Sequence, residues 1–183
     1  MKSIFVSSTF KDMQFERDML QILLAPEVSA FAAQYNETVS FVDLRWGIST
    51  DNLDSDEGAK KILSVCLDEI ERCRPYMIIF VGDRYGWIPK EQLIRRAADS
   101  KAFTPKSTDC SVTELEIEFG ALQAKEYLNR CVFCLRRPLP YHEMSARQRE
   151  IYQAESSVHE QRLAALKQRI REAPDACIIE YEA

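Results

Sequence analysis

Five short apolar runs divide this 183-residue chain, and segments with a helical pattern separate them. The runs cover residues 2–6, 39–44, 76–81, 131–135 and 177–181. Apolar runs of this length that alternate with amphipathic segments indicate parallel strands covered by helices on both faces. The sequence therefore predicts one α/β domain over residues 1–183, built on a five-stranded parallel sheet.

The intervening segments predict helices over residues 13–34, 57–73, 90–98, 111–128 and 145–172. In the first, Asp12 is the candidate N-cap, and Pro26 is expected to break or kink the helix. Its spacing places Phe15, Met19 and Leu23 near one face, and the apolar face of such a helix usually packs against the core. The last helix is long and polar, and we expect it to project from the domain or to cover an edge of the sheet.

Charge and hydropathy exclude several classes of protein. With 24 Lys and Arg against 29 Asp and Glu, the chain carries a net charge of −5 and no basic stripe, so we expect no direct nucleic-acid binding. No segment reaches the length of about 20 apolar residues that spans a bilayer. No apolar signal-peptide core follows the N-terminus, so we expect a cytoplasmic protein without membrane attachment.

The six cysteines are expected to be reduced thiols, because the chain has a full-sized core and no export signal. Cys131 and Cys134 form a CxxC, but they lie within a predicted strand, whose period of two directs them to opposite faces. The two histidines, His142 and His159, lie in the polar C-terminal part. We therefore expect no metal site and no histidine-dependent triad.

Polar and aromatic residues follow the first three predicted strands. Ligands of open parallel sheets bind beyond the carboxyl ends of the strands, so these positions are candidates for a binding site. The candidates are Ser7, Ser8, Arg45, Trp46, Gly82, Asp83 and Tyr85. Hydroxyl groups, guanidinium groups and stacking faces suit a nucleotide-like ligand. The alternative is that the glycines form turns, the tryptophans cap the core and the arginines pair with aspartates.

The helix predicted from residue 111 carries three glutamates. Ser111 and Glu114 fit a capping box, which gives Glu114 a structural role. Glu116 borders the apolar stripe, whereas Glu114 and Glu118 lie on roughly the opposite side. Glu116 is therefore the candidate catalytic carboxylate, since a partly buried carboxylate near the strand ends can act on a ligand. The alternative is a solvent-facing Glu116 that the helix dipole favours.

Four segments in order resemble one known family: FVSSTFKDMQFERDML, DLRWGI, CLDEIERCRPYMIIFVGDRYGW and SVTELEIEFGAL. They are similar to TIR-like domains catalogued as a domain of unknown function, which stand near the N-terminus of STAND-type NTPases. The resemblance implies a flavodoxin-like fold and a longer polypeptide with a NACHT or related NTPase module and WD or TPR repeats. It also implies a homo-oligomer on activation and a role in immune or antiviral defence.

The same resemblance implies an activity. Residues 116–122 are similar to the helix that supplies the catalytic glutamate of nucleoside deoxyribosyltransferases and of enzymatic TIR domains, which cleave NAD. It selects Glu116 as that glutamate, with NAD as substrate and no bound cofactor, and with Trp46 or Tyr85 stacking on the nicotinamide. Three hypotheses stay open: a nucleotide glycohydrolase, a non-catalytic interaction module, and a nucleotide sensor.

Overall fold

The computed structural model describes residues 1–44 and 55–182. Its five strands form one all-parallel sheet in the order β2-β1-β3-β4-β5, which is the flavodoxin-like order. The strands are β1 (Lys2–Ser7), β2 (Val39–Val42), β3 (Met77–Val81), β4 (Cys131–Arg136) and β5 (Cys177–Tyr181). The predicted fold class and all five strands are confirmed, with small differences at the ends.

Seven α-helices connect the strands within the described residues. They are α1 (Gln14–Met19), α2 (Ala25–Ala33), α3 (Asp56–Cys73), α4 (Glu91–Ser100), α5 (Val112–Ile117), α6 (Ala146–Tyr152) and α7 (Ser157–Glu172). One π-helical turn (Leu20–Leu24) joins α1 to α2, another (Glu118–Leu122) extends α5, and a 3-10 helix (Lys125–Arg130) precedes β4. Among the described residues, no helix has the length and hydropathy to cross a membrane.

The first helical segment differs from its prediction in which face it buries. Glu16 and Arg17 are buried, whereas Phe15 is 63% exposed and Leu23 is also exposed. The prediction from apolar spacing is wrong here because the charged side chains of α1 have buried partners: Arg17 pairs with Asp43, and Glu16 accepts a hydrogen bond from Arg136. These buried pairs determine which face of α1 packs against the domain.

Pro26 lies in the first turn of α2, directly after the π-helical turn Leu20–Leu24 that separates α2 from α1, so the predicted helix is interrupted just before the proline, in agreement with the expected break. The expected N-cap is wrong. Asp12 does not cap α1. Its carboxylate instead accepts hydrogen bonds from the backbone N–H groups of Asp83 and Arg84, so it fixes the loop after β3.

The predicted C-terminal helix is two helices. Ser145 caps α6 in a capping box with Gln148, and Ser156 caps α7 by accepting a hydrogen bond from the N–H of His159. In α7, Leu163, Leu166 and Ile170 are buried in the main core cluster. The helix therefore packs onto the domain, and the expectation of a projecting helix is wrong.

Most of the core lies against one face of β3 and β4. In β3, Met77, Ile79 and Val81 are buried and the residues between them are half-buried. In β4, Cys131 is buried and Cys134 is half-buried, consistent with side chains that alternate between the two faces. The core thus anchors the central strands, whose carboxyl ends carry the groups described next.

Candidate functional site

A pocket of about 520 Å³ lies at the carboxyl edge of the sheet. Its volume falls within the range of about 300–1,000 Å³ that is typical of small-molecule sites. The loop after β1, helix α3, the loop after β3 and the start of α5 supply its walls. The lining residues are Ser8, Thr9, Phe10, Lys11, Gln14, Ile62, Cys66, Arg84, Gly86, Trp87, Val112, Thr113, Glu116 and Glu155.

Helix α5 supplies one carboxylate to this pocket, that of Glu116. Its side chain lines the pocket although the residue is only 6% exposed, and the Ser7 hydroxyl donates a hydrogen bond of 2.6 Å to Oε2. The Cys66 thiol is a second hydrogen-bond partner. Burial raises the pKa of the Glu116 carboxyl, and these two hydrogen bonds and the nearby Arg17 charge oppose that rise.

Arg17 supports the pocket from behind. Its Nε donates a hydrogen bond of 2.6 Å to Oγ of Ser8, and its guanidinium pairs with Asp43. The Ser8 hydroxyl in turn donates to the carbonyl oxygen of Thr9 over 2.7 Å. This chain of contacts fixes the loop after β1, which forms one wall of the pocket. The apolar spacing of α1 does not mark Arg17, so the sequence pattern did not predict this residue.

The other two glutamates of the helix have a different environment. Ser111 caps α5 by accepting a hydrogen bond from the N–H of Glu114, as predicted. The Glu114 carboxylate accepts hydrogen bonds from Tyr85 and Arg169 in place of the Ser111 amide that a capping box would use. Arg169 also donates to Glu118 over 2.5 Å. Glu114 and Glu118 therefore share one cation from α7, on the side away from the pocket.

Asp83 belongs to a buried charged cluster beside the pocket. Its Oδ2 accepts a hydrogen bond of 2.7 Å from the Tyr141 hydroxyl and lies 3.8 Å from Nη2 of Arg136. Arg136 also donates to Glu16 over 2.9 Å and to Asp12 over 3.3 Å. These contacts tie the ends of β3 and β4 to α1. Asp83 thus has structural partners where the sequence analysis named it as a ligand-binding candidate.

The remaining predicted site residues divide into three groups. Gly82 packs so closely against Met13 that an added Cβ would lie 2.0 Å from its Cε atom, so a larger residue would require the buried end of that side chain to move. The Tyr85 hydroxyl is bound to Glu114, and the residue is buried outside the pocket lining. Arg45 and Trp46 lie outside the described residues. Of the predicted ligand-binding residues in the described part, Ser8 lines the pocket and Ser7 supports Glu116.

Cys66 is a pocket residue that the sequence analysis treated only as part of the apolar face of α3. Burial and the neighbouring Glu116 raise the pKa of its thiol well above the usual range. The thiol therefore keeps its proton near neutral pH and donates a hydrogen bond to Glu116. Its spacing with Ile62 and Ile70 is a core pattern, and nothing in that spacing signals the contact.

The family of this chain follows from a match over almost its whole length. The family model described as "Domain of unknown function (DUF4062)" matches residues 3–182. The chain belongs to the DUF4062 family. No solved structure matches it.

Several relatives are much longer proteins. A TPR repeat-containing protein of Dictyostelium discoideum is 31% identical over 182 residues, which is 93% of this chain and 11% of that protein. Telomerase protein component 1 of Mus musculus is 37% identical over 86 residues, covering 47% of this chain and 3% of that protein. NACHT domain- and WD repeat-containing protein 1 of Mus musculus is 36% identical over 86 residues, covering 42% and 5%. The chain thus spans about a tenth or less of these proteins.

Proposed function

We propose that this DUF4062 domain is a TIR-like effector domain that binds a nucleotide in the Glu116 pocket and cleaves its N-glycosidic bond, with NAD as substrate. One observation carries the proposal: a buried carboxylate forms part of the wall of a ligand-sized pocket at the carboxyl edge of a parallel sheet. Burial raises the pKa of this carboxyl, and perturbed carboxylates in pockets are frequent in active sites.

The chemistry that Glu116 would perform is electrostatic. When the bond between C1′ of the ribose and the nicotinamide nitrogen breaks, the electron pair leaves with nicotinamide and positive charge develops on the ribose. The Glu116 carboxylate stabilises this oxocarbenium-like charge. Water then adds to C1′ and a proton is released, which gives ADP-ribose, nicotinamide and H⁺ from NAD and water.

Ser7 and the hydroxyl groups of the lining have separate roles in this proposal. The hydrogen bonds from Ser7 and Cys66 hold the carboxylate of Glu116, whose two oxygens can each accept more than one hydrogen bond, so a ribose hydroxyl can donate to it as well. Thr113 lines the same pocket and offers a further hydroxyl group to the sugar, whereas the Ser8 hydroxyl holds the loop through Arg17 and Thr9. Trp46, which lies outside the described residues, is the proposed stacking partner of the nicotinamide.

The context of the domain is part of the proposal. The relatives include a TPR repeat-containing protein and a NACHT and WD repeat protein, each much longer than this chain. We infer that this domain acts within a similar multidomain protein, with NTPase and repeat modules as partners in the same polypeptide. Assembly of that protein into a homo-oligomer would activate the domain, in a cytoplasmic defence response.

The experiment that tests the enzyme proposal is NAD consumption by the domain clustered at high concentration through a fused oligomeric scaffold. Products are identified by chromatography, with wild type beside Glu116→Gln. Nicotinamide and ADP-ribose from the wild type, and their loss in Glu116→Gln, are the expected results. Turnover that is equal in both proteins excludes Glu116 as the catalytic carboxylate.

A second candidate function, a non-catalytic assembly module, is favoured by one surface. Large apolar side chains are exposed along α1, the following π-helical turn, α2 and the turn after it, namely Phe15, Ile22, Leu23, Leu24, Phe31 and Tyr35. Extended apolar patches on soluble proteins are typical of interaction surfaces. This function predicts that Leu23→Glu reduces self-association without unfolding the domain, whereas the control Gln34→Glu, also exposed on this segment, leaves it unchanged.

A further inference from the structure

The rim of the pocket holds an ion pair that the proposed catalytic step does not use. Nη2 of Arg84, which follows β3, lies 2.5 Å from Oε1 of Glu155, which lies between α6 and α7. Both residues line the same pocket as Glu116. The Arg84 side chain is 12% exposed and that of Glu155 is 29% exposed. The pair is therefore at the boundary between the pocket and solvent.

Arg84 is fixed at both of its ends. Its backbone N–H donates to Oδ2 of Asp12, and its Nη1 donates to the carbonyl oxygens of Glu150 and Gln153 over 3.1 and 2.9 Å. These carbonyls lie at the end of α6. Nη1 of the guanidinium thus has a structural role, and Nη2 is directed at Glu155.

Glu155 has a second partner at hand. Its Oε2 lies 3.1 Å from Nδ1 of His159 in α7, whereas the contact with Arg84 uses the other oxygen, Oε1. Its carboxylate can therefore leave Arg84 and keep a hydrogen bond. Phosphate and carboxylate oxygens use the same geometry on a guanidinium, so a phosphate is suited to take the place that Glu155 holds.

We propose that Arg84 is the phosphate-binding residue of the pocket and that Glu155 occupies this position until a phosphorylated ligand displaces it. The inference rests on the proposed function, because it assigns the substrate class as phosphorylated nucleosides over unphosphorylated ones. Lys11, which lines the same pocket, adds a second positive charge. The carboxylate of Glu155 lowers the affinity for phosphate, since the ligand must compete with a contact within the chain.

The test compares two ligands that differ by one phosphate, AMP and adenosine, in equilibrium binding to the domain by calorimetry. Glu155→Gln is expected to raise the affinity for AMP by about tenfold. This value holds if the Glu155 carboxylate occupies Arg84 in about nine-tenths of the molecules, because only the remaining tenth can then bind a phosphate. The affinity for adenosine is expected to stay unchanged. Arg84→Gln is expected to remove the preference for AMP, with circular dichroism to check that α6 is retained.

The matched control is Glu143→Gln. Glu143 also pairs with a histidine, His142, over 3.2 Å, but it is exposed and does not line the pocket. If Glu143→Gln gains as much AMP affinity as Glu155→Gln, the inference is overturned, because the gain would then come from the change in net charge and not from the lost contact with Arg84.

The binding data separate the phosphate site at Arg84 from the catalytic role of Glu116. Equal affinity of the wild type for AMP and adenosine overturns the phosphate site and leaves nucleoside binding at the Glu116 pocket in place. If neither AMP nor adenosine binds to the wild type or to Glu155→Gln, both the phosphate site and the nucleotide pocket are overturned. AMP selectivity without any NAD turnover supports the phosphate site and overturns only the catalytic step.

Discussion

The glutamates that follow Ser111 form two environments within five residues. Glu114 and Glu118 lie one turn apart and share Arg169, and Glu114 also binds the hydroxyl of Tyr85. Glu116 lies between them in sequence but on the other side of the helix, where its hydrogen-bond partners are a hydroxyl and a thiol. Arg17, the cation near Glu116, is itself paired with Asp43.

This difference separates a structural carboxylate from a candidate functional one. A buried charge costs several kcal/mol unless a counter-charge and hydrogen bonds compensate it. Glu114 and Glu118 receive that compensation from α7, so they join two parts of the fold. Glu116 is compensated less completely, which keeps the pKa of its carboxyl raised and leaves it to interact with a ligand.

The largest effect on stability is expected from Arg169→Ala. The change leaves Glu114 and Glu118 buried without their shared cation, and removal of one partner of a buried pair costs about 3–5 kcal/mol. Denaturant unfolding measures the loss. The control Arg162→Ala breaks the exposed pair with Asp109 and is expected to cost about 1 kcal/mol or less. Equal losses in the two variants would contradict a special role for Arg169.

A smaller effect, on the environment of Glu116, is expected from Ser7→Ala. The change removes the hydroxyl that donates to Glu116, and a net hydrogen bond contributes about 1 kcal/mol, so turnover should fall about fivefold. Because that hydrogen bond favours the ionised carboxylate, its loss also moves the lower limb of the pH–rate profile to higher pH. Ser3→Ala, in the same strand and bonded to Ser40, is the control and should change neither quantity.

The smallest effect is a pH dependence of stability in Glu116→Gln. The pKa of Glu116 is raised in the folded state, so the wild type binds this proton more tightly when folded. Its contribution to stability is complete below the unfolded pKa of about 4.3 and is lost as the pH rises through the folded value. The glutamine variant does not titrate there, so the wild type should lose stability relative to it as the pH rises from 4 to 8. A constant difference over that range would show that burial does not perturb this carboxyl.

The fold followed from the sequence because strands and helices leave periodic patterns. The runs from Met77 and Cys131 are apolar on both faces, as expected for central strands of a parallel sheet. Glu116 was identified as the candidate because it borders the apolar stripe of its helix, and the structure places it in the pocket wall. Local spacing contains that information.

The contacts that complete the site join residues far apart in the sequence, so the spacing of residues within one helix or strand does not predict them. The buried face of α1 is determined by pairs such as Arg17 with Asp43, 26 positions apart, so apolar spacing selected Phe15 wrongly. The partner of Glu114 is Arg169, 55 positions later. Arg84 and Glu155 meet only because the segment between α6 and α7 lies beside the end of β3.

The most direct test of a catalytic role for Glu116 is NAD turnover by three clustered variants, Glu114→Gln, Glu116→Gln and Glu118→Gln, assayed beside the wild type. All three changes neutralise a buried carboxylate on the same short helical segment. Turnover by Glu116→Gln is expected to fall about 10³-fold, which is the scale of one removed electrostatic group in an active site. The other two variants are expected to keep their turnover at temperatures where they stay folded. Equal losses in all three, or undiminished turnover in Glu116→Gln, would contradict this role.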